Sequence, residues 1–430
     1  MLSDEILEKV TERLTNRIET LNTYIIKKIG HDIGLIRNLT PTQAQQLVQM
    51  LKFGGDYNKI INEIARITNL NTKDIKEIFH EVAKNDYQFA EKFYKYRNIG
   101  YIPYEQNTIL KTQVEAIANI TVRQYKQMMS PKVLGYGFID NDENTVFKGL
   151  KKTYYDLLDE AVLSVSQGKE TFDQVMGRQI KQMGGSGLKV ILDSTYIDKD
   201  GKERNRTRRL DSTLRMNMKD ALRTLHNETQ EIFGKEFDSD GVEISVHLNP
   251  APDHEEVQGK QFSKEEYKKL QETGIATSYD NIEIDLHREL KSGETAEGFR
   301  PISTYNCYHY IFSIILGVSE PEYTEEQLKD IIDKSNKGFE IDGKHYTTYE
   351  GTQLQRKLET EIRKQKDIQI MAKEADDKDT IREAQQKITQ LTQKYRELSQ
   401  KANLPTRMDR MKVSQYKRVN IKKFETKTNI

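Results

Sequence analysis

Half of the eight prolines in this chain fall in one stretch, at 250, 252, 301 and 321. Proline lacks a main-chain donor and disfavours the helical conformation of the residue before it. The stretch from Val242 to Pro321 therefore cannot continue the helical pattern that precedes it. It opens VEISVHLNPAPDHEEVQGKQFS (242–263) and closes STYNCYHYIFSIILGVSEP (303–321). Val242, Ile244 and Val246 alternate with Glu243, Ser245 and His247, the period of a strand that buries one face. At the far end IFSIILG (311–317) is almost wholly apolar and reads as buried. Strands here and helices elsewhere make the chain α+β.

The same stretch holds the only cysteine, Cys307, and four of the eight histidines, His247, His254, His287 and His309. On a strand Cys307 and His309 would share a face. If the two ends meet, His247, His254, Cys307 and His309 form a tetrahedral metal set, and zinc is the metal such donors suit. The same groups could act as nucleophile and base, Cys307 with His254 or His309, oriented by Asp253. They could equally be struts that tie irregular loops together by hydrogen bonds. Their spacing lacks the economy of C-x-x-C or H-E-x-x-H and leaves all three readings open.

The first 185 residues read as helices. Ile6, Val10, Leu14, Ile18, Leu21 and Ile25 recur every three or four residues, a narrow stripe suited to a single packing partner. Thr40-Pro41-Thr42-Gln43 is a capped helix start, and Asn71-Thr72-Lys73-Asp74 looks like another. Lys92 to Asn107 interleaves Tyr and Phe with Lys and Arg. That pattern could stack bases, but it matches no stacking module, which favours packing onto the helical layer. Further helices are expected over 109–129, 146–165 and 172–183, with Gly184-Gly185-Ser186-Gly187 as a flexible joint.

Beyond the joint, 188–197 and 202–210 form an expected hairpin whose second arm carries Arg204, Arg206, Arg208 and Arg209. A helix over 212–233 follows. Thr324 to Gln327 starts a short helix, and Asp342-Gly343 centres a β-turn. A helical hairpin spans 352–402, with Thr380 and Glu383 as a capping box. From Lys401 onward nine basic residues face two acidic ones, so Arg407, Arg410, Lys412, Lys417 and Arg418 join the four arginines of the hairpin as candidate contacts to a nucleic-acid backbone. An unstructured solubilising end is the alternative. The expected organisation is a helical region (1–185), a small α+β module (186–320), a helical hairpin region (321–402) and a basic tail (403–430).

Charge balances at 67 basic and 67 acidic residues, so no global field points to nucleic acid or membrane. A lone cysteine permits no internal disulfide, and the amino terminus has no signal-peptide pattern. No apolar run nears the ~20 residues of a membrane span. These features fit a soluble protein made in a cytoplasm.

In order along the chain, IPYEQN (102–107), the 241–263 segment, NCYHYIFSIILGVSEPEYTEEQL (306–328), DGKHYTTYEGTQLQRKLETEIRKQK (342–366) and LPTRMDRMKVSQY (404–416) resemble the phage minor capsid protein 2 family, a branch of the head-morphogenesis proteins related to the F protein of phage Mu. The family pattern falls on His247, His254, Gln258, Gly259, Asn306, Cys307 and His309. The chain departs from it at Tyr308, where Arg is usual, and at Ser313, where Pro is usual. The resemblance implies a non-enzymatic, low-copy structural protein of a tailed-phage or prophage head. It would lie inside the capsid, with the portal and major capsid proteins as partners and packaged double-stranded DNA nearby. Its expected work is head assembly, extending to DNA ejection. A metal-dependent hydrolase or nuclease carried in the virion is the alternative.

Overall fold

The computed structural model describes residues 4–420 except 38, 54, 140–144, 168–169, 198–200, 248–249, 251–253, 256, 274–301, 303–306 and 308. The expected roles of Asp253, His287, Asn306 and Tyr308, and the end of the basic tail, lie outside the described residues. The fold is α+β and mainly helical. Among the described residues no helix is long and apolar enough to cross a membrane.

In chain order the elements are α1 (Asp4–Gly34), α2 (Pro41–Phe53), α3 (Asp56–Arg97), α4 (Thr108–Met128), β1 (Leu134–Ile139), β2 (Thr145–Gly149), α5 (Leu150–Ser166) and α6 (Phe172–Ser186). There follow β3 (Lys189–Ile197), β4 (Glu203–Arg209), α7 (Leu210–Glu236), β5 (Gly241–Ile244), β6 (Gln261–Ser263), α8 (Lys264–Thr273) and β7 (Ile311–Ile314). The chain closes with α9 (Glu325–Lys337), β8 (Phe339–Ile341), β9 (Lys344–Tyr346), α10 (Thr348–Glu374) and α11 (Lys378–Lys401). They form two compact units, each assembled from separated segments: 1–11, 74–122 and 216–353 in the first, 12–73, 123–215 and 354–430 in the second.

In the second unit a four-stranded antiparallel sheet runs in the order β2-β1-β3-β4. The β3–β4 hairpin is where it was expected, but β1, between two expected helices, and β2, at the start of the second, were not foreseen. The 146–165 helix starts only at Leu150, because Thr145 to Gly149 pairs with β1. α1 is buried on more than one side: Leu14, Ile18, Leu21 and Ile25 are joined by Ile26, Ile29 and Ile33. Its polar residues are buried too, because each finds a partner. Asn22 Oδ1 accepts from the Leu188 N–H at 2.9 Å, and the Thr23 hydroxyl donates to the Ser414 carbonyl at 3.2 Å.

Two expected punctuation marks are packing devices instead. α3 passes straight through Asn71, which is buried; its carboxamide accepts from Arg17 at 3.0 Å and donates to the Leu14 carbonyl at 3.3 Å. Gly184 lies inside α6, and a Cβ there would stand 2.8 Å from Ile368 Cα. The glycine admits a neighbouring backbone and makes no joint. The helical hairpin is α10 and α11, but Asp377 caps α11 by accepting from the Thr380 N–H at 3.0 Å. The carboxyl-terminal segment is packed as far as Val419: Leu404, Met411 and Val413 are buried, and the Val419 N–H donates to Gln385 at 2.8 Å.

The first unit carries the proline-rich stretch. Its three-stranded antiparallel sheet has the order β6-β5-β7. The short helix expected from Thr324 forms as α9, and Thr324 and Gln327 make a capping box at its start. Asp342 and Gly343, with φ of 51° and 75°, make the β8–β9 turn, the pair of positive φ values that a tight hairpin needs. The aromatic patch is packing: Phe93 stacks on Phe237 at 4.9 Å, Tyr101 stacks on Tyr87 at 4.9 Å, and Tyr94 and Tyr104 are buried.

Candidate functional site

β5 is the central strand of the small sheet, and the site grows from its two neighbours. On one side it pairs with β7 in a register that sets Ile244 against Ile311. The pairing continues through Ser245 and Tyr310, where the Ser245 N–H donates to the Tyr310 carbonyl at 2.9 Å and the Tyr310 N–H to the Ser245 hydroxyl at 2.8 Å. That brings Cys307, His309 and Tyr310 alongside the end of β5. On the other side the Gly259 N–H donates to the Ile244 carbonyl at 2.8 Å. A short turn leads there, closed by the Gln258 N–H on the His254 carbonyl at 3.2 Å.

These two arms place His254, Cys307 and His309 together. Cys307 Sγ lies 3.7 Å from His254 Nδ1 and 3.5 Å from His309 Nδ1. One potential donor atom from each residue falls within 4.8 Å of the others. The two histidines are 2% exposed and the cysteine 5%, so solvent hardly reaches the centre. Cys307 also packs with Ile244, Val257 and Ile302. Burial pushes the Cys307 thiol up, but hydrogen bonds from His254 and His309, with their charge, outweigh it and hold the thiol well below its ordinary value.

Gln258 sets the orientation. Its Oε1 accepts the main-chain N–H of His247 at 2.9 Å and faces His309 Nε2 at 3.3 Å. The main-chain N–H fixes that atom as the acceptor, so His309 Nε2 must carry a proton. Nδ1, the nitrogen turned toward Cys307, then carries the lone pair when the ring is neutral and donates to the thiolate when the ring is charged. The neighbouring Gly259 has φ +70°, and a Cβ would stand 2.4 Å from Leu328, so this Gln-Gly pair cannot be exchanged freely. His247 contributes its main chain; its half-buried ring lies 6.2 Å from that of His309, outside the three-residue group.

α7 supplies residues that the sequence reading missed. The Arg223 guanidinium donates to the Cys307 carbonyl. His226 Nε2 lies 3.2 Å from the Ile311 carbonyl, and Gln230 Oε1 accepts from the Ser313 N–H at 3.0 Å. Spacings of three and four put the three residues on one helix face, which grips the segment bearing Cys307 and β7. Ser313 uses the N–H that the family's usual proline lacks, and its hydroxyl donates to the Gln230 carbonyl at 2.8 Å. Polar residues at helical spacing were the only signal available in the sequence.

The basic candidates belong to the second unit. Arg208, Arg407, Lys412, Lys417 and Arg418 are exposed, while Arg204, Arg206 and Arg410 are half-buried. Arg209 differs: at 8% exposure it is committed to Glu19, Asp211 and Asp367, at 3.1 to 3.4 Å. Arg363 joins the same network through Glu19 and Asp211.

No curated protein and no solved structure matches the chain. One protein family does, over residues 2–399, which span the helices, both larger sheets and the His/Cys group. The chain belongs to that family, the phage minor capsid protein 2 family, and with it has a structural role in the phage head.

Proposed function

We propose that this chain is a minor component of the head of a tailed phage or prophage, bound near the portal on the capsid interior. It assists head assembly and takes part in DNA ejection. The observation that carries this reading is the family match along nearly the whole chain. It is supported by buried polar networks in both units, which suit a protein built to keep its shape, and by the exposed basic residues of the second unit, which could meet packaged DNA. The portal and major capsid proteins of the same phage are the partners. Portal isolated from cells in which the phage is assembling should bring this chain with it. Portal complexes that never contain it would contradict portal association.

A His/Cys-centred hydrolase or nuclease is supported less well. A nucleophile must meet its substrate, and Cys307 is 5% exposed between histidines at 2%.

A further inference from the structure

We propose that His254 Nδ1, Cys307 Sγ and His309 Nδ1 bind a zinc ion that clamps the irregular arms of the small sheet together. With Zn–S near 2.3 Å and Zn–N near 2.05 Å, a tetrahedral site has a sulfur-to-nitrogen edge of about 3.6 Å. The two edges here are 3.7 and 3.5 Å. Each ring turns its Nδ1 toward the one sulfur, so all three donor atoms face a common point. His309 has the second contact that metal-bound histidines need: the far nitrogen is held by Gln258, which sets the tautomer and aims the lone pair inward. Ile244, Val257 and Ile302 complete an apolar surround.

The local architecture also calls for a clamp. The three strands are only three or four residues long, too little ladder to fix the loops that carry His254 and Cys307. A buried cation with thiolate and imidazole ligands joins both arms directly. Binding sends the proton that Cys307 shares with its two histidines to solvent, so the ion is held by one thiolate and two neutral imidazoles. A solvent molecule takes the fourth position in the simplest arrangement. This site does not depend on the head assignment, and either could fail alone.

The same three side chains without metal would form a hydrogen-bonded chain from His254 through the Cys307 thiol to His309. The test separates the two. The full-length protein, purified without chelator, is analysed for metal, then stripped and titrated with zinc or cobalt(II). The expected result is about one zinc per chain and, with cobalt, a sulfur-to-metal charge-transfer band with tetrahedral ligand-field bands. C307S should abolish the charge-transfer band. Gln258→Ala keeps all three ligands and should weaken zinc affinity about 10–100-fold, which a role in packing alone would not do. Zinc should raise the melting temperature of the stripped wild type and not that of C307S. A folded wild-type protein that takes up neither ion, with a melting temperature indifferent to zinc, would overturn the proposal and leave the hydrogen-bonded chain.

Discussion

His226 Nδ1 lies 2.7 Å from the Asp86 carboxylate, with both side chains at most 1% exposed. The other ring nitrogen faces the Ile311 carbonyl, so one imidazole ties α3 to β7 through α7. Removing one partner of a buried pair leaves the other without compensation, at a cost of about 3–5 kcal/mol. His226→Ala should therefore destabilise the first unit by that order. His226→Ala with Asp86→Ala should cost less than the sum of the single changes. Thermal melts of the four proteins measure the cycle, and strictly additive effects would contradict the coupling.

The buried network of the second unit sets three carboxylates, Glu19, Asp211 and Asp367, against two guanidinia, Arg209 and Arg363. Fully ionised, it holds one negative charge too many. Burial, then the Asp211 charge, pushes Glu19 up to about 8, from an ordinary 4.5, against the pull of both arginines. A raised carboxylate favours folding while protonated, so its contribution is complete below 4.5 and is lost as pH rises through about 8. Asp367 is raised in the same sense, chiefly by burial. Asp211 opposes them: despite burial the arginines hold it low, so its contribution is lost in acid. The melting temperature should fall as pH rises toward 8. Glu19→Gln, which mimics the protonated form, should flatten that slope; an unchanged slope would place the excess charge elsewhere.

Gly259 and Gly317 offer a controlled comparison. Both have positive φ, but a Cβ at Gly259 meets Leu328 at 2.4 Å and Val246 at 2.8 Å, whereas at Gly317 nothing lies within 4 Å. Gly317→Ala should cost about 1 kcal/mol for the conformation alone. Gly259→Ala adds overpacking of about 1–3 kcal/mol and should also disturb the carboxamide of Gln258. Equal melting temperatures for the two variants would contradict the close approach at Gly259.

Removing the basic segment is a poor test of DNA binding, because Leu404, Met411 and Val413 are part of the packed structure. Point changes are cleaner. Lys412→Ala, Lys417→Ala and Arg418→Ala alter exposed side chains. If each meets a phosphate, the slope of log affinity against log salt should fall by about 0.9 per change. Binding to duplex DNA with an unchanged slope would remove these residues from the interface.

What the sequence made legible was local chemistry. Thr324 with Gln327, Asp342-Gly343 and the β3–β4 hairpin depend on residues within a few positions of one another, and the structure shows all three. Misreadings arose where a residue with a local meaning was used across the fold. Asn71 has the chemistry of a cap and is spent on Arg17 and Leu14; Gly184 has the look of a hinge and makes room for Ile368. The strand Thr145 to Gly149 runs directly into α5, so its apolar residues extend the helical pattern and conceal it. Three of the four proposed ligands converge because of the register around β5, which composition cannot supply. Gln258 was visible only through the family pattern. Arg223 and His226 needed the helix in place before their targets, two main-chain carbonyls, could be identified.

The head assignment is tested most directly by quantitative mass spectrometry of virions purified from the phage or induced prophage that encodes this chain. The account predicts the protein in mature particles at few copies relative to the major capsid protein, and its loss from particles assembled without portal. Intact, infectious virions that lack it, with the protein left in the soluble cell fraction, would contradict the account.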